Sequence, residues 1–523
     1  MTGRTKPRGG KSEAEPASSL TRVIGAVVKG LWMLFVIATP FVGAWVASSL
    51  AAYSNRSVGW AAASGLLLFP VLPLAWEAYA GVRRRRQGVT KRFLTFADRL
   101  TLRTLAINLV FLAGVLATHP ESAFVALSTR GDWMLEGRHS AHAEQLRRGL
   151  FAAAGGLEWL YRASRPNPYR DPHDEETPPT VPSAAPAPSA PASTSPAPTA
   201  PSAPTPSAST SAQPAPPPPP PPTPAPASPT WPLPPTLDPV VAAMPREAET
   251  SIAAVAHYIA DRVPEPFARV KALHDWVADR IAYDAPAFLD DHVTQDDAEP
   301  EIVFRNRLGV CAGYAKVLQA LGKAVGIDIA YVTGDARIPG KKDVQGASHA
   351  WNAVTIGGRA YLIDATWDAG SLDGRQFRKG YGTDYLFAPP QVFGLEHQPD
   401  KPAWQLREHP LSTGDFLRQP MLDPGFYRRG LVLVEPLQPQ VTTTGALDVT
   451  LQNPRGVDIT VSAQASDMCR VTREPSSDIV HARCALPQTR TYTVLLFAGE
   501  PETGSESSGL LTSVGQIEAN NRL

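Results

Sequence analysis

The sequence predicts a multi-domain chain: N-terminal transmembrane helices, an α+β core and a C-terminal all-β sandwich. Three observations carry this. Apolar stretches of membrane-spanning length lie near the start of the 523 residues. A run rich in Pro, Ala, Ser and Thr then separates them from ordinary globular sequence, in a chain with 54 prolines. The C-terminal region breaks into short alternating runs punctuated by turn signals. The formal net charge is zero, so no overall field points to nucleic acid, and no nucleic-acid partner is expected.

Residues 1–30 read as a cytoplasmic tail and 31–128 as a membrane domain of three transmembrane helices. Leu31 to about Ala52 and Val58 to Ala80 are each long enough to span. A third stretch, Leu105–Thr118, is short. It reaches spanning length only with Leu100 and Leu102 and with Arg99 and Arg103 laying their stems along apolar surface. A second span follows the first within a few residues, which argues against a cleaved signal peptide. Trp32, Trp45, Tyr53, Trp60, Trp76 and Tyr79 fall near span ends, as in an aromatic belt. Arg4, Lys6, Arg8, Lys11, Arg22 and Lys29 precede the first span, and Arg83–Arg86, Lys91 and Arg92 follow the second. Only Arg56 lies between them. This asymmetry places the tail and the Arg83–Arg86 loop in the cytoplasm, and everything after a crossing third span outside. With no acidic residue or histidine at mid-span, the helices read as an anchor.

Residues 129–176 read as juxtamembrane amphipathic helices, with Leu146, Leu150, Leu157 and Leu160 as their apolar residues. Residues 177–237 form a disordered linker that includes an unbroken proline run, Pro216–Pro222. Such a composition stays extended, and at ~3.1 Å per residue its contour approaches ~190 Å.

The core is expected over 238–416. Phe267, Val270, His274, Val277 and Ile281 fall at helical spacing over about 265–282, with His274 as a core histidine and Trp276 and Tyr283 as packing residues. Cys311 opens a second helix after Gly309, which allows a tight turn. Tyr314, Leu318, Leu321 and Val325 mark its buried face, and Gly326 its left-handed end. Unpaired N–H groups at a helix start favour a thiolate, and the Cys311 N–H is a candidate oxyanion donor. Downstream, 348–356 and 359–365 alternate like strands around Gly357-Gly358, which suits a two-residue primed turn. That turn pairs Ile356 with Arg359, hence Trp351 with Asp364. His349 then shares a face with Asp364 as its diagonal neighbour. A thiol, an imidazole and a carboxylate in line are the apparatus for attacking a carbonyl carbon. Asp364 orients His349, which takes the proton of Cys311 and later returns one to the leaving group.

Four stretches carry a resemblance: KALHDWVADRIAYD before the cysteine, GVCAGYA at it, SHAWN at the histidine and YLIDATWDAG at the aspartate. They resemble the transglutaminase-like superfamily, papain-like enzymes with a Cys-His-Asp triad. The tail TDYLFAPPQVFGLEHQPDKPAWQLREHPLSTGDF is similar to the kyphoscoliosis-peptidase branch. The resemblance covers about 265–416 and implies an α+β papain-like transglutaminase core. It implies Cys311, His349 and Asp364 as catalytic residues, and His397 and Trp404 as structural ones. Gln398 stands where an apolar residue is more usual.

The C-terminal domain, 417–523, is expected as a β-sandwich with strands in GLVLVEPL, ALDVTLQNP, VDITVSAQA, IVHARCAL and RTYTVLLFAGE. Of three cysteines, Cys469 and Cys484 lie close together, either as a disulfide across neighbouring strands or as two unlinked buried thiols, and Cys311 stands apart as the reactive thiol. The expected function is a multi-pass membrane protein whose catalytic domain is extracytoplasmic. It would act as a cysteine peptidase or transglutaminase-like acyltransferase on protein or peptide amide bonds through an acyl-thioester. Envelope or cell-wall material lies within reach of such a tether. The alternative is a non-catalytic envelope-binding scaffold on the same fold. Scattered histidines and the lack of a phosphate-binding loop predict no cofactor and no metal.

Overall fold

The computed structural model describes residues 19–54, 56–87, 93–138, 140–170, 228–337, 344–463, 468–499 and 511–522. The basic tail up to residue 18, Lys91, Arg92 and most of the proline-rich linker lie outside them. The chain divides into two compact units, 1–165 and 166–523.

In the first unit, three segments are long and apolar enough to cross a membrane: Ala26–Tyr53, Gly59–Arg86 and Phe96–Thr118. The first lies within helix α1 (Ser19–Tyr53). The second is interrupted. Helices α2 (Val58–Leu66) and α3 (Leu72–Arg86) flank a widened turn at Pro70, whose missing N–H breaks the ladder. The third, α4 (Phe96–Thr118), begins well before its apolar stretch. A reciprocal cap supports that start: Asp98 N donates to Thr95 Oγ1 at 3.2 Å and Thr95 N to Asp98 Oδ2 at 3.0 Å. Arg99 and Arg103 do not simply lie along apolar surface. Both pair with Glu77 of α3, as does Arg84, with the Arg99 and Arg84 contacts at 2.9 and 3.0 Å.

Helix α5 (Pro120–Arg130) follows α4 and packs on α1. Trp45 Nε1 donates to Gly131 O at 2.8 Å, and Trp133 Nε1 to Ser48 Oγ at 3.1 Å. Helices α6 (Ala141–Gly155) and α7 (Glu158–Ser164) pack on α5. Their buried residues are Ala143, Ala154 and Tyr161, whereas Leu146 is exposed. Small side chains let the helices approach, and of the expected leucines Leu157 packs half-buried against Val46, Leu127 and Ala154.

The second unit begins with an α+β core. Helices α8 (Ile252–Ala260), α9 (Pro266–Arg280) and α10 (Cys311–Ala324) pack together, and α10 lies on the sheet. That five-stranded antiparallel sheet contains β1 (Ile329–Ala336), β2 (Ala347–Ile356), β3 (Arg359–Ile363), β4 (Leu386–Ala388) and β5 (His397–Pro399), in the order β4-β3-β2-β1-β5. The apolar stripe of α9 and Tyr314, Leu318 and Leu321 of α10 meet in one core with Val354 and Ile363. The linker expected to run to 237 stops short of that. Trp231 Nε1 donates to Asp384 O at 3.2 Å, Thr383 Oγ1 donates to Leu233 O at 2.8 Å, and Leu233 packs on the core. A tryptophan and a leucine supply the apolar area that the preceding Pro/Ala/Ser run lacks.

The C-terminal region forms two facing sheets around one apolar core. One contains β6 (Met421–Leu422), β8 (Gln440–Thr443), β10 (Ile459–Ser462), β13 (Thr491–Ala498) and β14 (Thr512–Asn521). The other orders β7 (Val432–Glu435), β9 (Ala446–Gln452), β12 (Ile479–Ala485) and β11 (Arg470–Arg473) as β7-β9-β12-β11. The five expected runs are β7, β9, β10, β12 and β13. Strand β14 carries no alternating apolar signal, yet it pairs with β6, β8 and β13. Its buried polar residues are satisfied internally. Thr493 Oγ1 donates to Glu518 Oε1 at 2.7 Å, and Asn521 Nδ2 donates to Leu486 O at 2.6 Å. Cys469 and Cys484 form a disulfide. The β11–β12 register, with Arg470 opposite Arg483, brings them face to face.

Candidate functional site

Cys311 is the first residue of α10, after extended Val310. Gly309 serves close packing there rather than a turn. A Cβ on it would lie 2.9 Å from Val303, and one on Gly313 2.5 Å from Asp297 O. Gly313 N and Tyr314 N already donate to Val310 O, so among the described residues the N–H groups left open by the helix start are those of Cys311 and Ala312.

The β2–β3 hairpin turns at Gly357 and Gly358, with φ of 58° and 76°. Its register runs from Ile356–Arg359 to Asn352–Ile363. One step further sets Trp351 opposite Asp364 and His349 diagonal to it. His349 Nε2 lies 2.7 Å from Asp364 Oδ2. The Cys311 side chain stands close enough to the same imidazole to act on its charge. The structure therefore brings the three sequence-derived residues together in the expected order. Asp364 Oδ1 accepts from Thr366 N at 2.9 Å and Trp367 N at 3.3 Å, which fixes the carboxylate.

Burial alone would lower the His349 imidazole. The Asp364 charge and then the Cys311 sulfur outweigh it and push the group up to about 10. Burial would raise Asp364, but the two histidines hold it well below the usual carboxylate range. The resting state is thus an imidazolium against a carboxylate. His397 was expected to be structural, yet it enters this network directly. Its Nε2 lies 3.0 Å from Asp364 Oδ2, the oxygen that faces His349. Burial lowers His397, so it is the neutral partner. Nothing in the residue spacing marked it, because β5 pairs with β1 and not with the hairpin strand bearing Asp364. Trp367 lies with its ring 5.3 Å from His349 and 4.5 Å from His397, and Trp351 and Phe393 complete the enclosure.

His349, Asp364 and His397 have donor atoms within 4.8 Å of one another, the arrangement of a possible metal site. Their contacts have the wrong spacing for one. Ligands of a tetrahedral ion with bonds of ~2.0–2.1 Å stand ~3.3 Å apart, whereas both histidines approach Asp364 Oδ2 at hydrogen-bond distance, 2.7 and 3.0 Å.

The loop carrying Asp364 is held from behind. Asp368 Oδ2 meets His274 Nε2 at 3.1 Å, and His274 Nδ1 meets Asp275 Oδ1 at 3.1 Å. Burial opposes charge on His274, but the two carboxylates outweigh it and push the imidazole up to about 9. The core histidine read from the helical stripe is thus a buried ionic link between α9 and the Asp364 loop.

A cleft of about 470 Å³ opens beside His349, with Tyr283, Phe288, Trp367, Tyr385 and Glu396 among its walls. Glu396 Oε2 accepts from Tyr385 OH at 2.8 Å, and Oε1 has no partner among the described residues. Burial, with Asp423 nearby, raises Glu396 well above the usual carboxylate range, so the acid is neutral. Cys311 does not line this cleft. It is 1 % exposed and covered by Tyr169, Tyr283 and Phe288.

A thiol at a helix start, an imidazole beside it and an aspartate on that imidazole thus stand together in the core. Residues 253–365, which hold all three groups, match the family model of the transglutaminase-like superfamily. The chain therefore carries a transglutaminase-like core domain. It is 29% identical over 192 residues to kyphoscoliosis peptidase of Mus musculus, covering 35% of this chain and 29% of that protein. Kyphoscoliosis peptidase of Homo sapiens gives the same figures. The Lim and transglutaminase domain protein ltd-1 of Caenorhabditis elegans is 22% identical over 278 residues, covering 46% of this chain and 37% of that one. A crystal structure of a TGase aligns with 26% of this chain and 35% of that chain, at 17% identity and a TM-score of 0.20. The chain spans less than a third of the length of the kyphoscoliosis peptidases it matches.

Proposed function

We propose that this protein is a membrane-anchored thiol enzyme whose core acts outside the cytoplasm on protein or peptide amide bonds. The observation that carries the reading is the position of His349, 2.7 Å from Asp364 and beside the Cys311 side chain. With its proton on His349, the Cys311 sulfur attacks the amide carbon and a C–S bond forms. The oxyanion meets the open N–H groups of Cys311 and Ala312. His349 gives its proton to the leaving nitrogen, the C–N bond breaks, and an acyl-thioester remains. A water or an amine, losing its proton to His349, then attacks the thioester and releases the sulfur. Water makes the protein a peptidase, and an amine makes it an acyltransferase.

The test is labelling of the full chain in detergent with a thiol-reactive acyl probe. The wild type takes up one acyl group, and Cys311→Ala takes up none while its melting temperature stays close to that of the wild type. Equal labelling of the two would refute the enzyme reading. Incubation of the enzyme with envelope material and a primary amine, followed by mass spectrometry, separates the two outcomes. Incorporated amine marks transfer, and new termini mark cleavage.

A further inference from the structure

The side chain lying on the Cys311 sulfur comes from outside the core sequence. We infer that residues 166–170, Pro-Asn-Pro-Tyr-Arg, occupy in cis the groove in which the core takes an extended peptide substrate, with the Tyr169 ring where the side chain presented to Cys311 would lie. The assignment of that groove to substrate rests on the thiol-enzyme reading of Cys311.

The contacts have the form of a bound peptide. Tyr331 OH donates to the main-chain oxygen of Tyr169 at 2.8 Å. Asn167 Nδ2 donates to Gly334 O of β1 at 2.8 Å. Tyr169 N donates to Asn167 Oδ1 at 2.9 Å, which sets the bend of the segment. The Tyr169 ring packs among Val310, Cys311, Ala312, Tyr331 and Ala350, with its phenol close enough to the sulfur to feel its charge. Burial, then the sulfur, raises Tyr169 above the ordinary phenol range, so the phenol keeps its proton. One ligand carbonyl is thus read by an enzyme side chain, one enzyme carbonyl by a ligand side chain, and one ligand side chain reaches the nucleophile. Pro166 and Pro168 restrict the segment beforehand, which lowers the entropy lost on docking.

The cover must move for chemistry to occur. An attacking sulfur needs its carbonyl carbon at ~3–3.5 Å, and that space is filled. Of the covering residues, Tyr283 belongs to a strand pair of the core, whereas residues 166–170 lie in no helix or strand. The segment is the removable part.

Iodoacetamide reads this directly, because Cys311 is the one free thiol of the chain. In the full chain in detergent, Tyr169→Ala raises the alkylation rate about tenfold or more, as expected when the covered state dominates by about ten to one. Asn167→Ala raises it in the same direction. The peptide acetyl-PNPYR-amide added to Tyr169→Ala slows alkylation saturably, and acetyl-PNPAR-amide does not. An unchanged rate in both variants, or no effect of the tyrosine peptide, overturns the inference. The enzyme reading fails separately, through equal acyl-probe labelling of Cys311→Ala, so the two are distinguishable.

Discussion

Asp364 is the residue on which the site turns, because a single oxygen of it faces two imidazoles. Replacing it with asparagine keeps the volume and removes the charge. His349 then loses the partner that outweighs its burial. Its ring titration, followed by NMR, moves down from about 10, and turnover falls on the order of 10³-fold. Turnover within a few-fold of wild type in Asp364→Asn would show that Asp364 has no orienting role. His349 and Asp364 were legible in the sequence because a Gly-Gly turn fixes a hairpin register and a strand's side chains alternate, so two residues 15 positions apart are placed by local rules alone. Cys311 was legible from the helix start that follows Gly309. His397, Glu396 and Tyr169 were not legible as parts of the site, since long-range packing sets their positions and no local period marks them.

At the scale of elements, the link between α9 and the loop after β3 makes stability depend on pH. His274 titrates at about 9 in the folded chain against an ordinary value of 6.5. The folded state therefore holds this proton more tightly than the unfolded one. Its contribution is fully present below pH 6.5 and is lost as pH rises to about 9. His274→Gln lowers the melting temperature most near pH 6, and the gap to wild type narrows by pH 9. A constant gap across that range would remove His274 as the titrating group. The sheets divide in legibility by the same logic as the site. β9, β12 and β13 alternate apolar and polar residues and were read directly. β14 was missed because Gln516, Glu518, Asn520 and Asn521 are buried through side-chain hydrogen bonds and ladder pairing, which leave no hydrophobic pattern to read.

Along the whole chain, three apolar helices precede the transglutaminase-like core and a two-sheet region with a disulfide follows it. The apolar pattern reported three helices long and apolar enough to cross a membrane but not the ion cluster of Glu77, which recruits arginines from sequence on both sides of the intervening loop. The proposed orientation has a direct check. Ala208→Cys, in the proline-rich segment, reacts with a membrane-impermeant maleimide on intact cells, whereas Arg85→Cys reacts only after lysis. The reverse pattern would put the core in the cytoplasm and leave the proposed extracytoplasmic role without support.

The shielded sulfur has a consequence for durability. In an oxidising compartment of the kind that maintains a bridge such as Cys469–Cys484, an open sulfur would proceed to sulfenic and then irreversible sulfinic acid. Tyr169, Tyr283 and Phe288, packed against the cluster that holds Cys311, would keep such small oxidants away. The working lifetime of the protein is then set by how long that shelter stays shut.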